Sequence, residues 1–312
     1  MRIVFFGSPA AALPSFQKLL DGGHSVELVV TQPDKPAGRG RRLTPSAVKA
    51  FALERGIPVL EPVRIRRDES VLARIREVRP DVHVVVAYGQ IIPAAIIDFP
   101  PRHSLNVHFS LLPKYRGAAP VQWTILNGET ETGVTIIELN ERMDEGDILA
   151  QVRTGIGPRE TAAELESRLA GLGAGLLSNT LARVDTLEHV AQDHSRASLA
   201  PKIQKGDGRI DWSETSDAVD RKVRALAERP GAFTLFRGRR LQVHGGRTLE
   251  ARSDGRVPGE IIASGRDGLA VACGHGGIYL IEVLQPEGKS RMSARGFSNG
   301  ANIKAGERLG AD

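Results

Sequence analysis

Residues 106–120 read NVHFSLLPKYRGAAP, and the fold around them follows from how this stretch is built. If 104–109 is extended, the period of two puts Asn106 and His108 on one face and Leu105, Val107 and Phe109 on the other. Leu111, Leu112 and Pro113 then stop the strand. Residues 116–120 supply a turn and open a helix, with Pro120 acceptable in its first turn. An amide and an imidazole therefore sit near the C-terminal end of a strand and just before a loop. In open α/β sheets that edge is where ligands bind. Taken alone, the pair fits equally well two buried polar residues satisfied by backbone.

Upstream, residues 2–6 form a continuous apolar strand, and 10–20 have helical spacing before the Asp-Gly-Gly stop at 21–23. The turn between them is Gly7-Ser8-Pro9, which lacks the glycines of a G-x-G-x-x-G fingerprint, so no dinucleotide is expected. Further strands at 26–31, 57–60 and 82–87 alternate with helices at 46–55 and 69–78. That alternation predicts an α/β class with a Rossmann-like, doubly wound, mostly parallel sheet and right-handed crossovers. The loop 32–45, QPDKPAGRGRRLTP, carries Lys35, Arg39, Arg41 and Arg42 and exceeds the usual α/β connection. It reads as a contact for a polyanion or as a solvated tip. Tyr88, Gly89 and Ile91 follow the 82–87 strand and offer either one wall of a flat apolar pocket or ordinary core.

Downstream come a helix at 120–126, a strand at 133–139 and then NERMDEGD, with four acids in residues 140–147. One of these carboxylates can reach His108; spacing does not say which. A strand at 148–152 and a long amphipathic helix at 160–184 close a domain expected over 1–189. The polar tract that follows gives a linker at 190–206. In the remainder, 207–312, a helix at 211–227 has Ser213 or Thr215 as candidate N-cap. Short strands at 232–236, 240–244, 259–263, 269–273 and 278–283, punctuated by glycine turns, predict a small barrel of the oligonucleotide-binding type.

Composition bounds the function. Lys and Arg balance Asp and Glu at 22 to 22 over residues 1–189, so the net charge of +5 comes from 20 against 15 in residues 190–312. A basic module beside a neutral one suits a nucleic acid or another polyanion. The single Cys273 excludes an intramolecular disulfide framework. No Cys pair or His cluster has zinc-ligand spacing, so no metal is expected. The N-terminal apolar run is too short for a signal or a membrane span, which predicts a cytoplasmic protein with no membrane partner, by default a monomer.

The candidate chemistry is that of an amide, an imidazole and a loop carboxylate, with G-x-S-x-G absent around Ser110. An amide aimed at a developing oxyanion contributes ~3 kcal/mol. A carboxylate-held imidazole moving protons contributes roughly 10²- to 10⁴-fold. Together they suit acyl transfer to an incoming amine. Asn106-x-His108, SLLPKYRGAAP from Ser110 and MDEGDIL from Met143 resemble the signature of the formyltetrahydrofolate-dependent formyltransferases. That resemblance implies catalytic roles for Asn106, His108 and Asp144 and a 10-formyltetrahydrofolate cosubstrate. It also implies folate contacts from Ser110, Leu111, Leu112 and Pro113 and from Tyr88, Gly89 and Ile91. FFGSP from Phe5, TQPDKPAGRG from Thr31, AYGQIIP from Ala87, ETGVTI from Glu131, PKIQKGDGRIDW from Pro201 and LQPEGKSRMSARGF from Leu284 are similar, in order, to blocks of the family members that formylate initiator methionyl-tRNA. The likeness thus implies a tRNA partner, contacted by Lys35, Arg39, Arg41, Arg42, Lys202 and Lys205. Members acting on a sugar nucleotide or another small amine share the catalytic block; an RNA-binding protein on an idle scaffold is the reading outside enzymology.

Overall fold

The N-terminal strand is buried on both faces, which forces helices onto both. In the computed structural model, which describes residues 1–37 and 42–310, the first half of the chain runs β1 (Arg2–Gly7), α1 (Leu13–Asp21), β2 (Ser25–Val30), β3 (Lys35–Ala37), β4 (Arg42–Thr44), α2 (Ala47–Leu53), β5 (Val59–Leu60), α3 (Glu69–Val78), β6 (Val82–Val86), α4 (Ala94–Ile97) and β7 (Ser104–His108). There follow α5 (Pro120–Leu126), β8 (Glu131–Glu138), β9 (Ile148–Gly155) and α6 (Ala162–Leu181). Val4 and Phe6 of β1 join Val71 and Ile75 of α3 and Ile96 of α4 in one core layer. Phe5 points the other way and stacks on Phe16 of α1 at 4.7 Å, and Phe16 in turn meets Phe51 of α2.

The sheet order is β5-β2-β1-β6-β7-β8-β9. Pairings through β7 are parallel, whereas β7 to β8 and β8 to β9 are antiparallel. The expected doubly wound sheet is therefore present, with an antiparallel edge. Within the long 32–45 connection, expected to be loop, Lys35 pairs with Thr44 and Pro36 with Leu43 as two short antiparallel strands. The chain divides into two units: Met1–Pro120, Glu131–Gly155 and Glu166–Pro201 form the first, and Val121–Thr130, Ile156–Leu165 and Lys202–Asp312 the second. The polar tract after α6 is held to the first unit by backbone. Val190 and Ile148 exchange two hydrogen bonds, and Arg116 N–H and carbonyl bond to Ser198 and Ala200.

The second unit contains α7 (Ser216–Ala225), then β10 (Phe233–Phe236), β11 (Arg239–Leu249), β12 (Ile261–Ser264), β13 (Leu269–Ala272), β14 (Ile278–Pro286), β15 (Met292–Ser293) and α8 (Ala294–Ala301). Of the two candidate caps, Thr215 is the one used: its side chain accepts from Ala218 N–H at 3.2 Å. The antiparallel sheet runs β10-β11-β14-β13-β12, with β15 on β14. Its two edges are joined by the C-terminal segment, since Leu309 N–H bonds to Gly259 O and Gly310 N–H to Leu235 O. Trp212, Leu241, Val271, Tyr279, Ile281 and Leu309 fill the interior. Burial raises the thiol of Cys273 to about 12, so it sits there as a small apolar group. Among the described residues no helix is long and apolar enough to cross a membrane.

Candidate active site

β7 lies between β6 and β8 and is buried along its length. The pleat sends Asn106 and His108 the same way, at 8% and 6% exposure. Opposite them is Asp144, in the turn that joins β8 to β9, with left-handed backbone at φ +53. Its two carboxylate oxygens have different partners. Oδ1 accepts from Asn106 Nδ2 at 3.4 Å, and Oδ2 accepts from the Gly117 N–H at 2.8 Å. His108 Nδ1 stands 3.7 Å from the same Oδ2. On the ring's far side, His108 Nε2 lies 2.9 Å from the carbonyl of Tyr115. A carbonyl only accepts, so Nε2 carries the proton and Nδ1 is the nitrogen presented to the carboxylate. Of the four acids in 140–147, then, Asp144 is the one placed against the pair.

The turn bearing Asp144 is fixed by a residue 48 positions away. Gln192 Nε2 donates to the carbonyls of Asp144, at 2.8 Å, and Gly146, at 2.7 Å. Its Oε1 accepts from Nε and Nη2 of the buried Arg116, at 3.1 and 2.8 Å. Arg116 Nη1 also meets Glu145 at 3.2 Å. Gly117 completes the cradle with φ +126, where a Cβ would lie 2.6 Å from the Ala200 carbonyl oxygen, so only glycine fits. Beside this centre the 110–113 loop is fastened to the sheet. Thr135 Oγ1 accepts from Leu112 N–H at 3.1 Å and donates to Ser110 O at 2.7 Å, while Gln151 Nε2 donates to Leu112 O at 2.8 Å.

An amide, an imidazole and a carboxylate converging at a strand end, with no hydroxyl or thiol among them, support non-covalent acyl transfer. The comparisons with known proteins agree. A formyl transferase domain model matches residues 1–181, and a formyl transferase C-terminal domain model matches residues 202–302. The chain belongs to the formyltransferase family. A methionyl-tRNA formyltransferase of Geobacter metallireducens is 44% identical over 99% of this chain and 99% of its own. One of Solibacter usitatus is 46% identical with the same coverage of both chains. Among solved structures, an N-formyltransferase of Helicobacter canadensis, crystallised with folinic acid and dTDP-3-aminofucose, superposes with a TM-score of 0.67 at 18% identity, over 91% of this chain and 98% of that one. At that identity it shares the fold.

In this formyltransferase the remaining candidate residues fall in several places. Tyr88 is a core residue, 2% exposed, with its ring edge-on to Phe6 at 5.6 Å; burial raises its phenol above the ordinary value. Its carbonyl, not its ring, is engaged by Gln32 Nε2 at 3.1 Å. Gly89 is left-handed at φ +79 and Ile91 is 46% exposed, so these two keep surface available to a flat ligand. Ser110 Oγ donates to the Lys114 carbonyl at 2.7 Å. Leu112 is buried, Leu111 is half-buried and Pro113 follows them. Phe109 is buried on the side of Val107, against Gly173 of α6, where a Cβ would come within 2.8 Å of Val107 Cγ1. Its ring thus takes space that the helix glycine leaves open and points away from Asn106 and His108. Lys35 bonds to Gln32 Oε1 at 3.1 Å in the first unit, while Lys202 and Lys205 are exposed in the second. Arg39 and Arg41, and the side chain of Arg42, lie outside the described residues. Gln192 and Arg116 carry no signal in the sequence, because neither stands in a periodic segment near its partner.

Proposed function

We propose that this formyltransferase moves the formyl group of 10-formyltetrahydrofolate to the α-amine of methionyl-initiator tRNA, releasing tetrahydrofolate, and that it works in the cytoplasm as a monomer. The observation that carries the proposal is likeness to methionyl-tRNA formyltransferases at 44% and 46% identity along the whole chain. The amine attacks the formyl carbon, and the carbonyl oxygen takes up negative charge. Asn106 Nδ2, only loosely held by Asp144 at 3.4 Å, turns to donate to that oxygen. His108, its Nε2–H fixed on Tyr115, accepts the amine proton at Nδ1. The resulting imidazolium is stabilised by Asp144 Oδ2 at 3.7 Å and returns the proton to the departing N10. The 110–113 loop, Gly89 and Ile91 hold the folate, and the basic residues Lys35, Arg39, Arg41, Arg42, Lys202 and Lys205 hold the tRNA.

One assay tests the acceptor: purified protein with 10-formyltetrahydrofolate and charged initiator tRNA, elongator tRNA, an aminated sugar nucleotide or no acceptor. Transfer to the initiator species above all others is expected. Preferential transfer to the sugar nucleotide, bare hydrolysis, or tRNA binding without turnover would each replace the proposal with a different activity.

A further inference from the structure

At the end of β7 remote from His108, three side chains far apart in sequence meet around one carboxylate. His103 immediately precedes β7, Glu138 ends β8, and His189 stands in the tract after α6. His103 Nδ1 donates to Glu138 Oε1 at 2.6 Å, and His189 Nδ1 lies 2.8 Å from Glu138 Oε2. The two rings are 5.0 Å apart and tilted by 59°, so they face the carboxylate from two sides and do not stack. One ring nitrogen of each histidine and a carboxylate oxygen all lie within 4.8 Å of one another. His103 holds left-handed backbone at φ +68, uncommon for a residue with a Cβ. None of the three is fully buried, so water and ions reach them.

We propose that His103, Glu138 and His189 form a binding site for a first-row divalent cation, with zinc as the preferred ion. Two imidazole nitrogens and one carboxylate oxygen suit zinc, cobalt or nickel; magnesium and calcium prefer oxygen alone. Three protein ligands leave a fourth tetrahedral position for water. Binding requires each neutral imidazole to move its proton from Nδ1 to Nε2, freeing the lone pair, and consumes no other reactant. The ion would take the place of the two hydrogen bonds now made to Glu138. It would also tie together the root of the turn that bears Asp144: Glu138 N–H already bonds to Asp147 O at 3.0 Å, and Val190, next to His189, is paired with Ile148. A bound ion therefore stabilises the first unit without touching the transfer centre.

Full-length protein, purified without a histidine tag and stripped with a chelator, is titrated with Co²⁺ and, separately, with Zn²⁺. One equivalent of Co²⁺ is expected to give the visible d–d band of a nitrogen- and oxygen-ligated ion, and Zn²⁺ to abolish that band by competition. Zn²⁺ at a hundredfold excess over its Kd is expected to raise Tm by about 5 °C. His189→Ala, at an exposed position, and His103→Asn, which tolerates left-handed backbone, should lose both responses. Glu138→Gln should weaken them, and His275→Ala in the second unit should keep them. The assignment is overturned if the wild type shows neither response, or if His103→Asn and His189→Ala retain both.

Discussion

Asp144 accepts with both oxygens, from Asn106 on one and from Gly117 on the other, so the site needs a carboxylate and not its isostere. Asp144→Asn offers one acceptor and one N–H₂ group, and whichever way the amide turns, a donor faces a donor. An imidazolium formed at His108, as proposed, would also lose its counter-charge. We expect kcat to fall by roughly 10²- to 10⁴-fold with the KM for folate little changed; a folded variant with near-normal kcat would remove Asp144 from the chemistry. Gln192→Ala acts one step back. It strips donors from two backbone carbonyls of the Asp144 turn and an acceptor from Arg116. Of the four hydrogen bonds lost, the two to the Asp144 turn hold the carboxylate in place; at about 1 kcal/mol for each of these two, kcat should drop roughly ten- to thirtyfold. The KM for both substrates should hold, a split that steady-state kinetics resolves; because a loss of folded protein would also lower the apparent kcat at constant KM, the rate is normalised to the folded fraction measured by circular dichroism. The sequence exposes Asn106 and His108 because a period of two puts polar groups together on an apolar strand. Gln192 leaves no such trace, since its partners are backbone carbonyls that any residue would offer.

At the scale of the element, β6 carries a titratable group with no catalytic assignment. His83 is 1% exposed, and burial pushes its imidazole from 6.5 down to about 3. Ser104 Oγ donates its hydrogen to Ile97 O at 2.6 Å, so toward His83 Nδ1, at 3.1 Å, it can only accept. The ring is therefore neutral with its proton on Nδ1, and Nε2 has no partner. The unfolded chain takes up a proton at this histidine below 6.5, whereas the folded chain does so only near 3. Stability from this group is thus fully present above 6.5 and is lost as pH falls toward 3, at up to about 1.4 kcal/mol per pH unit. His83→Asn should remove that slope between pH 6 and 4.5; urea midpoints of both proteins across that range measure it, and parallel curves would contradict it. Elements differ in how plainly the sequence announces them. α3 and α5 match their expected spans because an N-cap acid at Asp68 and a proline at Pro120 mark their starts. β11 continues to Leu249, past the expected end at 244, because Gly245-Gly246 reads as a break but forms bulges in the pairing with β14. α8 is short and glycine-bearing, and only its Ser293 cap, bonded to Gly296 N–H, signals it.

For the whole molecule, charge is the property that sequence reports most directly and that side-chain geometry adds least to. The surplus of five cations lies in residues 190–312, 20 against 15, while residues 1–189 balance at 22 to 22. If tRNA is the acceptor, its backbone phosphates must be met by these and by the loop cations of the first unit. Each phosphate neutralised releases counterions, so log affinity falls with log salt by about 0.9 per contact on a duplex and about 0.7 on a single strand. Lys202 and Lys205 are exposed. Changing both to Ala should therefore weaken tRNA binding most at low salt and reduce the slope by about 1 to 2. The Kd for folate should stay where it was, because no folate contact is assigned to either residue. A slope equal to that of the wild type would show that Lys202 and Lys205 meet no phosphate, and would leave the tRNA to other cations, Lys35 and the arginines of the 32–45 connection among them.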